Sequence, residues 1–219
     1  MKITNLKKSF SGRLVVDLPS FTIEKGQIYV LWGQNGFGKS TFFRILAGIM
    51  TPDEGVVEDC LSISYQPQNP YIFNYNCYKS VMLGSKNKDT AKALEILEYL
   101  GLSDRLDVKA LSLSGGQRQC MYLARSLLTD GELLLLDEPF SAIDAIRSDD
   151  IARYTLEYCK SQGRTLMVVV HKYELLEIFG KNRLVFSETG KVNIESEHPK
   201  LPVPLLGNEN VDKCLNADV

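Results

Sequence analysis

The chain has 219 residues, long enough for one domain with a full core, and its 44% hydrophobic and 24% charged residues are ordinary for a globular protein. A formal net charge of −2 supplies no overall field for nucleic acid or an anionic membrane, so no direct nucleic-acid partner is expected. Five scattered cysteines (Cys60, Cys77, Cys120, Cys159 and Cys214) with no Cys-x-x-Cys pair argue against a disulfide framework or a zinc site and fit a reducing cytosol.

The N-terminal MKITNLKKSF carries charge without a following apolar stretch, so no signal peptide is expected. IYVLWG (28–33) reads as a buried strand, GQNGFGKST (33–41) as a glycine loop, and STFFRILAGIM (40–50) as a helix with Phe42, Phe43, Leu46 and Ile49 near helical spacing. Strand, loop and helix in that order are half of a βαβ unit. TPDEG (51–55) reads as a turn, and LSISYQP (61–67) as a short strand stopped by Pro67. NPYIFNYNCYKS (69–80) is aromatic and irregular and receives no element. DTAKALEILEYLGL (89–102) is a helix capped by Asp89 or Thr90 and ended by Gly101.

A second glycine pair, Gly115–Gly116, follows Ser114, a candidate N-cap for a helix running to about Thr129. ELLLLDEP (132–139) and RTLMVVVH (164–171) are continuous apolar runs, the pattern of parallel strands covered on both faces. They are far too short to span a bilayer, so work at a membrane would mean holding another protein. SDDIARYTLEYCKSQG (148–163) reads as a helix and RLVFSETGKVNIE (183–195) as a hairpin around Thr189-Gly190. The polar, proline-bearing stretch 196–219 reads as a loosely held tail on a single domain spanning 1–219.

The chemistry sits at the strand ends. GQNGFGKS fits G-x-x-x-x-G-K-[ST], in which glycines let backbone N–H groups face phosphate oxygens. Lys39 would reach the β- and γ-phosphates, and the Ser40 hydroxyl would ligate Mg²⁺. Asp137 ends a buried strand, where a carboxylate can hold Mg²⁺, and the adjacent Glu138 can polarise a water for attack on the γ-phosphate. His171 ends the other buried strand, placed either to meet a γ-phosphate oxygen or to hold the catalytic geometry. A strand-to-helix turn needs no phosphate, and a charged strand end needs only solvent. The two motifs together carry the nucleotide reading.

In order, GQNGFGKST, YQPQ, LSGGQ, LLLLDEP, SAID and VVVH resemble the ATP-binding cassette (ABC) ATPase domain, over about residues 3 to 195. LSGGQ just upstream of LLLLDE is the specific feature, and no N-K-x-D guanine-reading motif is present. The resemblance implies an α/β P-loop NTPase fold: a RecA-like parallel sheet core, an N-terminal antiparallel β subdomain and a small helical subdomain over about 69–125. It implies two cassettes paired head to tail around two ATP molecules. One would contribute Gly33, Gln34, Asn35, Gly36, Phe37, Gly38, Lys39, Ser40 and Thr41, and the other Ser114, Gly115, Gly116 and Gln117.

By the same resemblance Gln68 touches Mg²⁺ and the attacking water; Gln66 is a rival for that role, but the Pro-Gln order favours Gln68. Asp144 belongs to a loop crossing the interface. Phe10 stands where an aromatic stacks on adenine, or is a plain core phenylalanine; stacking leaves nucleotide preference loose. Phe37 replaces a small residue, putting a ring at the nucleotide edge or the partner surface. The implied partners are a transmembrane permease and a second cassette, identical or related. The implied place is cytoplasmic, peripheral on the inner face of the cell membrane. Tyr71, Phe73, Tyr75 and Tyr78 lie where such subunits receive a helix of the permease, or pack within the helical subdomain. The alternative is a soluble ABC ATPase uncoupled from transport, such as an iron–sulfur assembly type.

Overall fold

The computed structural model describes residues 1–58, 61–180 and 182–195; the expected tail, 196–219, lies outside the described residues, as do Cys60 and Cys214. The N-terminal quarter forms an antiparallel sheet, in which β1 (Lys2–Phe10) pairs with β2 (Arg13–Leu18), β3 (Phe21–Thr22) and β5 (Glu54–Glu58). Asn5 sits at φ 48 in β1, and pairing with β5 shifts register between Thr4 and Lys7. This breaks the two-residue alternation, so Ile3 and Leu6 can both be fully buried.

A second sheet has the order β10-β9-β4-β8-β7-β6, from β4 (Ile28–Trp32), β6 (Ile63–Gln66), β7 (Leu133–Asp137), β8 (Thr165–Val169), β9 (Asn182–Phe186) and β10 (Val192–Glu195). Its pairings are parallel except for the β9–β10 hairpin, so the core sheet is mixed at one edge. The strands divide the interior by side-chain parity. Val30, Leu134, Leu136, Leu166 and Val168 face a core built with the helices. Tyr29, Leu31, Leu133, Leu135, Met167 and Val169 face the antiparallel sheet. Continuous apolar sequence is the consequence of that two-sided cover.

The helices are α1 (Lys39–Leu46), α2 (Cys77–Met82), α3 (Thr90–Tyr99), α4 (Gly115–Leu127), α5 (Ala145–Ser161) and α6 (Tyr173–Phe179). Asp89, rather than Thr90, caps α3, accepting from Lys92 N at 3.0 Å. α5 starts three residues earlier than its charged run suggests, because Asp144 caps it by accepting from Arg147 N at 2.9 Å. α1 stops at Leu46, short of the expected Met50. Two helices lie where no apolar periodicity pointed to one: α2, capped by Asn76, and α6, a helix of two turns. β5 begins inside the expected TPDEG turn.

The aromatic segment divides. Tyr78 packs against the helical core, whereas Tyr71, Phe73 and Tyr75 are 75%, 39% and 46% exposed and contact one another in series. Among the described residues no helix is long and apolar enough to cross a membrane.

Candidate nucleotide site

The site lies at the carboxyl ends of β4, β7 and β8, where a parallel sheet opens its crevice. Between β4 and α1 the chain turns tightly: Gly33 (φ 142), Gly36 (φ 82) and Gly38 (φ 99) are all left-handed, and a Cβ on Gly38 would collide with the Val15 carbonyl oxygen. The loop is thus seated on β2 by the absence of a side chain. Val15 is the residue of β2 skipped where pairing with β1 shifts between Lys8 and Ser9.

A cleft of about 410 Å³ results, lined by Phe10, Val15, Asn35, Gly36, Gly38, Lys39, Ser40, Thr41, Gln68 and Glu138. Lys39 is buried and donates to the carbonyl oxygens of Gly33 (2.7 Å) and Gln34 (2.9 Å). Burial holds its ammonium below the usual lysine range, while Glu138 and Asp137 pull in the opposite direction. A cation parked on backbone carbonyls inside a cleft can exchange those acceptors for phosphate oxygens.

Asp137 is 1% exposed. Burial raises its carboxyl above the usual range; hydrogen bonds from Ser40 and Tyr65 oppose this, and the Glu138 charge adds to it. Its Oδ2 accepts from Tyr65 Oη at 3.4 Å, and its Oδ1 is buried with no hydrogen-bond partner. A deeply placed carboxylate oxygen without a donor, beside a serine hydroxyl, is a hard oxygen pair suited to Mg²⁺.

Glu138 turns the chain off the strand at φ 52, uncommon for a residue with a side chain. Gln119 Nε2 (3.2 Å) and Ser141 Oγ (3.1 Å) hold that turn by donating to its carbonyl oxygen. The carboxylate then swings to the cleft, where Oε1 lies 2.7 Å from His171 Nε2. Strand-end residues 33 positions apart in sequence become one acid–imidazole pair, because β7 and β8 are neighbours.

Gln68 lines the cleft, while Gln66 is 2% exposed and accepts from Ser126 Oγ at 2.9 Å, facing α4. Phe10 is 45% exposed and lines the cleft, so it is not a core phenylalanine. Phe37 is half-buried, its ring packed against the core of the antiparallel sheet, and it is not among the cleft-lining residues.

The second glycine loop is elsewhere. Ser114 caps α4 reciprocally with Gln117: Ser114 Oγ accepts from Gln117 N (3.3 Å) and Gln117 Oε1 accepts from Ser114 N (3.0 Å). A Cβ on Gly116 would come within 3.0 Å of Ala142 O, a packing reason for glycine. A Cβ on Gly115 would meet nothing within 4 Å, so the fold of this chain gives no reason for glycine there. None of Ser114, Gly115, Gly116, Gln117 or Asp144 lines the cleft.

The family model for the ABC transporter matches residues 16–141, more than half of the chain. The chain belongs to the ABC transporter family. It is similar to a tungstate uptake ATP-binding protein of Peptoclostridium acidaminophilum, 31% identical over 87% of this chain and 95% of that protein. It is also similar to an aliphatic sulfonates import ATP-binding protein of Streptomyces avermitilis, 33% identical over 90% of this chain and 76% of that protein. Among solved structures, an inward-facing metal-chelate type ABC transporter superposes with a TM-score of 0.76 at 30% identity, over 88% of this chain and 81% of that one. Archaeal ribosome recycling factor aABCE1 gives the same TM-score at 27% identity, but this chain spans only 38% of it. This ABC cassette is an ATP-binding and ATP-hydrolysing subunit of a transporter; the soluble alternative is not favoured.

Sequence reasoning missed Tyr65 and Gln119 in this cassette. Tyr65 was visible only as part of YQPQ, and its hydrogen bond to Asp137 arises because β6 lies beside β7. Gln119, within the helix after LSGGQ, supports the backbone of Glu138. Its spacing from Glu138 carries no signal.

Proposed function

We propose that two cassettes close face to face, each covering the other's cleft with Ser114, Gly115, Gly116 and Gln117, and that Asp144 lies at the same contact. Gly115 carries this reading: it is an exposed glycine that its own chain does not require. The phosphates of ATP take over the Lys39 ammonium and meet the N–H groups of residues 33–41, with Phe10 against the base. Glu138 accepts a proton from the attacking water, and His171 fixes the carboxylate from its far side. Gln68 borders the water's position. Ser40 and Asp137 would hold Mg²⁺, which when bound offsets the phosphate charge.

Closure favoured by ATP and released by hydrolysis is the mechanical output, passed to a transmembrane permease. Tyr71, Phe73 and Tyr75 form the exposed aromatic contact for that partner. The cassette then works in the cytoplasm, peripheral on the inner face of the cell membrane. Relatives named for sulfonate import and tungstate uptake support the uptake direction.

The test is complementation between two inactive variants. Glu138→Gln lacks the base, and Ser114→Arg blocks the covering loop. A mixed pair contains one site with both defects and one with neither. Mixing should therefore restore turnover that neither variant shows alone. Failure to restore it, with mixed pairs demonstrated by differential tagging, refutes assembly across the interface.

A further inference from the structure

Phe10 is supported by its own strand. Lys8 and Phe10 are two residues apart on β1, which puts them on one face of the strand. The Lys8 ammonium lies 5.5 Å from the centroid of the Phe10 ring, within the range of cation–π attraction. Phe10 lines the nucleotide cleft and Lys8 does not.

Asp53 fixes that arrangement. Its Oδ1 accepts from Lys8 Nζ at 2.6 Å, its Oδ2 accepts from Ser9 N at 2.7 Å, and its own N donates to Lys7 O at 2.9 Å. The Lys8 and Ser9 hydrogen bonds hold its carboxyl below the usual carboxylate range. An isolated surface ion pair adds little to stability. Here one aspartate instead grips three successive residues of β1, spanning the bulge that precedes Phe10. On the other side, Ser11 (φ 49) and Gly12 (φ 80) make the tight hairpin turn that returns to Arg13, opposite Phe10. The ring is anchored before and after, and its cleft side is left open.

We propose that Lys8, oriented by Asp53, is a base-positioning residue for the bound nucleotide. Its ammonium holds the Phe10 ring and draws π density outward, which leaves the cleft-facing side less negative and better suited to stack on an electron-rich purine. The proposal rests on the reading that Phe10 contacts the base. Phosphate binding does not depend on it, because Lys8 is not among the residues that line the cleft.

The experiment is calorimetric titration of the full chain with ATP and, separately, with inorganic tripolyphosphate, which has the phosphates and no base. Lys8→Met should weaken ATP binding about 2- to 5-fold, the span of an exposed cation–π contact, with tripolyphosphate binding unchanged. Lys8→Arg should keep the wild-type ATP affinity, and Asp53→Asn should move in the same direction as Lys8→Met. Unchanged ATP affinity in Lys8→Met overturns the proposal. So does equal weakening of both ligands, which would mark a merely structural role. Phe10→Ala separates the two levels. If it leaves the ATP-to-tripolyphosphate ratio untouched, stacking on Phe10 itself fails; if it changes the ratio while Lys8→Met does not, only the role of Lys8 fails.

Discussion

Replacing Gly115 by glutamate should raise stability and abolish turnover, opposite signs that few substitutions give. Gly115 is the first residue of α4, exposed, with nothing within 4 Å of an added Cβ and no acidic residue in the first turn. Glycine to a better helix former contributes up to about 1 kcal/mol, and a carboxylate at a helix N-terminus about 0.3–1 kcal/mol. The sum, about 0.5–2 kcal/mol, corresponds to a rise of a few degrees in melting temperature for a chain of this size. In the closed pair the same carboxylate would face a γ-phosphate. Two like charges about 4 Å apart at an effective dielectric near 20 repel by about 4 kcal/mol, which is about a thousandfold in turnover. Urea unfolding of the isolated chain and steady-state phosphate release measure the two effects. Turnover within about twofold of wild type, in a variant that melts no lower, would show that Gly115 faces no nucleotide. A clear loss of stability would show that Gly115 does not begin an exposed helical turn.

Glu138→Gln keeps the shape beside His171 and removes the base: ATP binding should persist, turnover should fall about 10²–10⁴-fold, and ATP should trap pairs in size-exclusion chromatography. Unchanged turnover would remove Glu138 from the role of base. Arg164 is 8% exposed and donates to Gly131 O, Leu127 O and Thr129 Oγ1, tying the end of α4 to the start of β8. Arg164→Met strands two buried carbonyls and should cost about 2–5 kcal/mol in urea unfolding; a loss below about 1 kcal/mol would show that the site relaxes around the change. Burial pushes the thiols of Cys77, Cys120 and Cys159 up to about 11. At pH 8 about one thiol in a thousand is then thiolate, so mass spectrometry should find these three unlabelled by a thiol reagent until the chain is unfolded. Labelling of any of them in the folded protein would contradict the packing.

Much of the site was legible because its chemistry depends on residue type at fixed spacing. GQNGFGKS places its glycines, lysine and serine on a strand-to-helix turn whatever surrounds it, and the apolar runs LLLL and MVV declare strands covered on both faces. Spacing alone left open which glutamine of YQPQ meets the cleft, whether Phe10 is core or surface, and where the Phe37 ring points. Those are questions of direction, and direction is fixed by neighbouring elements. Ser126 of α4 claims Gln66, and the core of the antiparallel sheet takes the Phe37 ring. The short helices α2 and α6 escaped because their positions follow from packing on α4 and α5 more than from any repeat of their own. Local sequence determined the loop, the strands and the kinds of polar group at the strand ends. Tertiary structure alone decided that Glu138 meets His171, that Asp137 keeps one oxygen without a donor, and that Gly115 is left facing outward, since each depends on which strands are neighbours and which surfaces they leave uncovered.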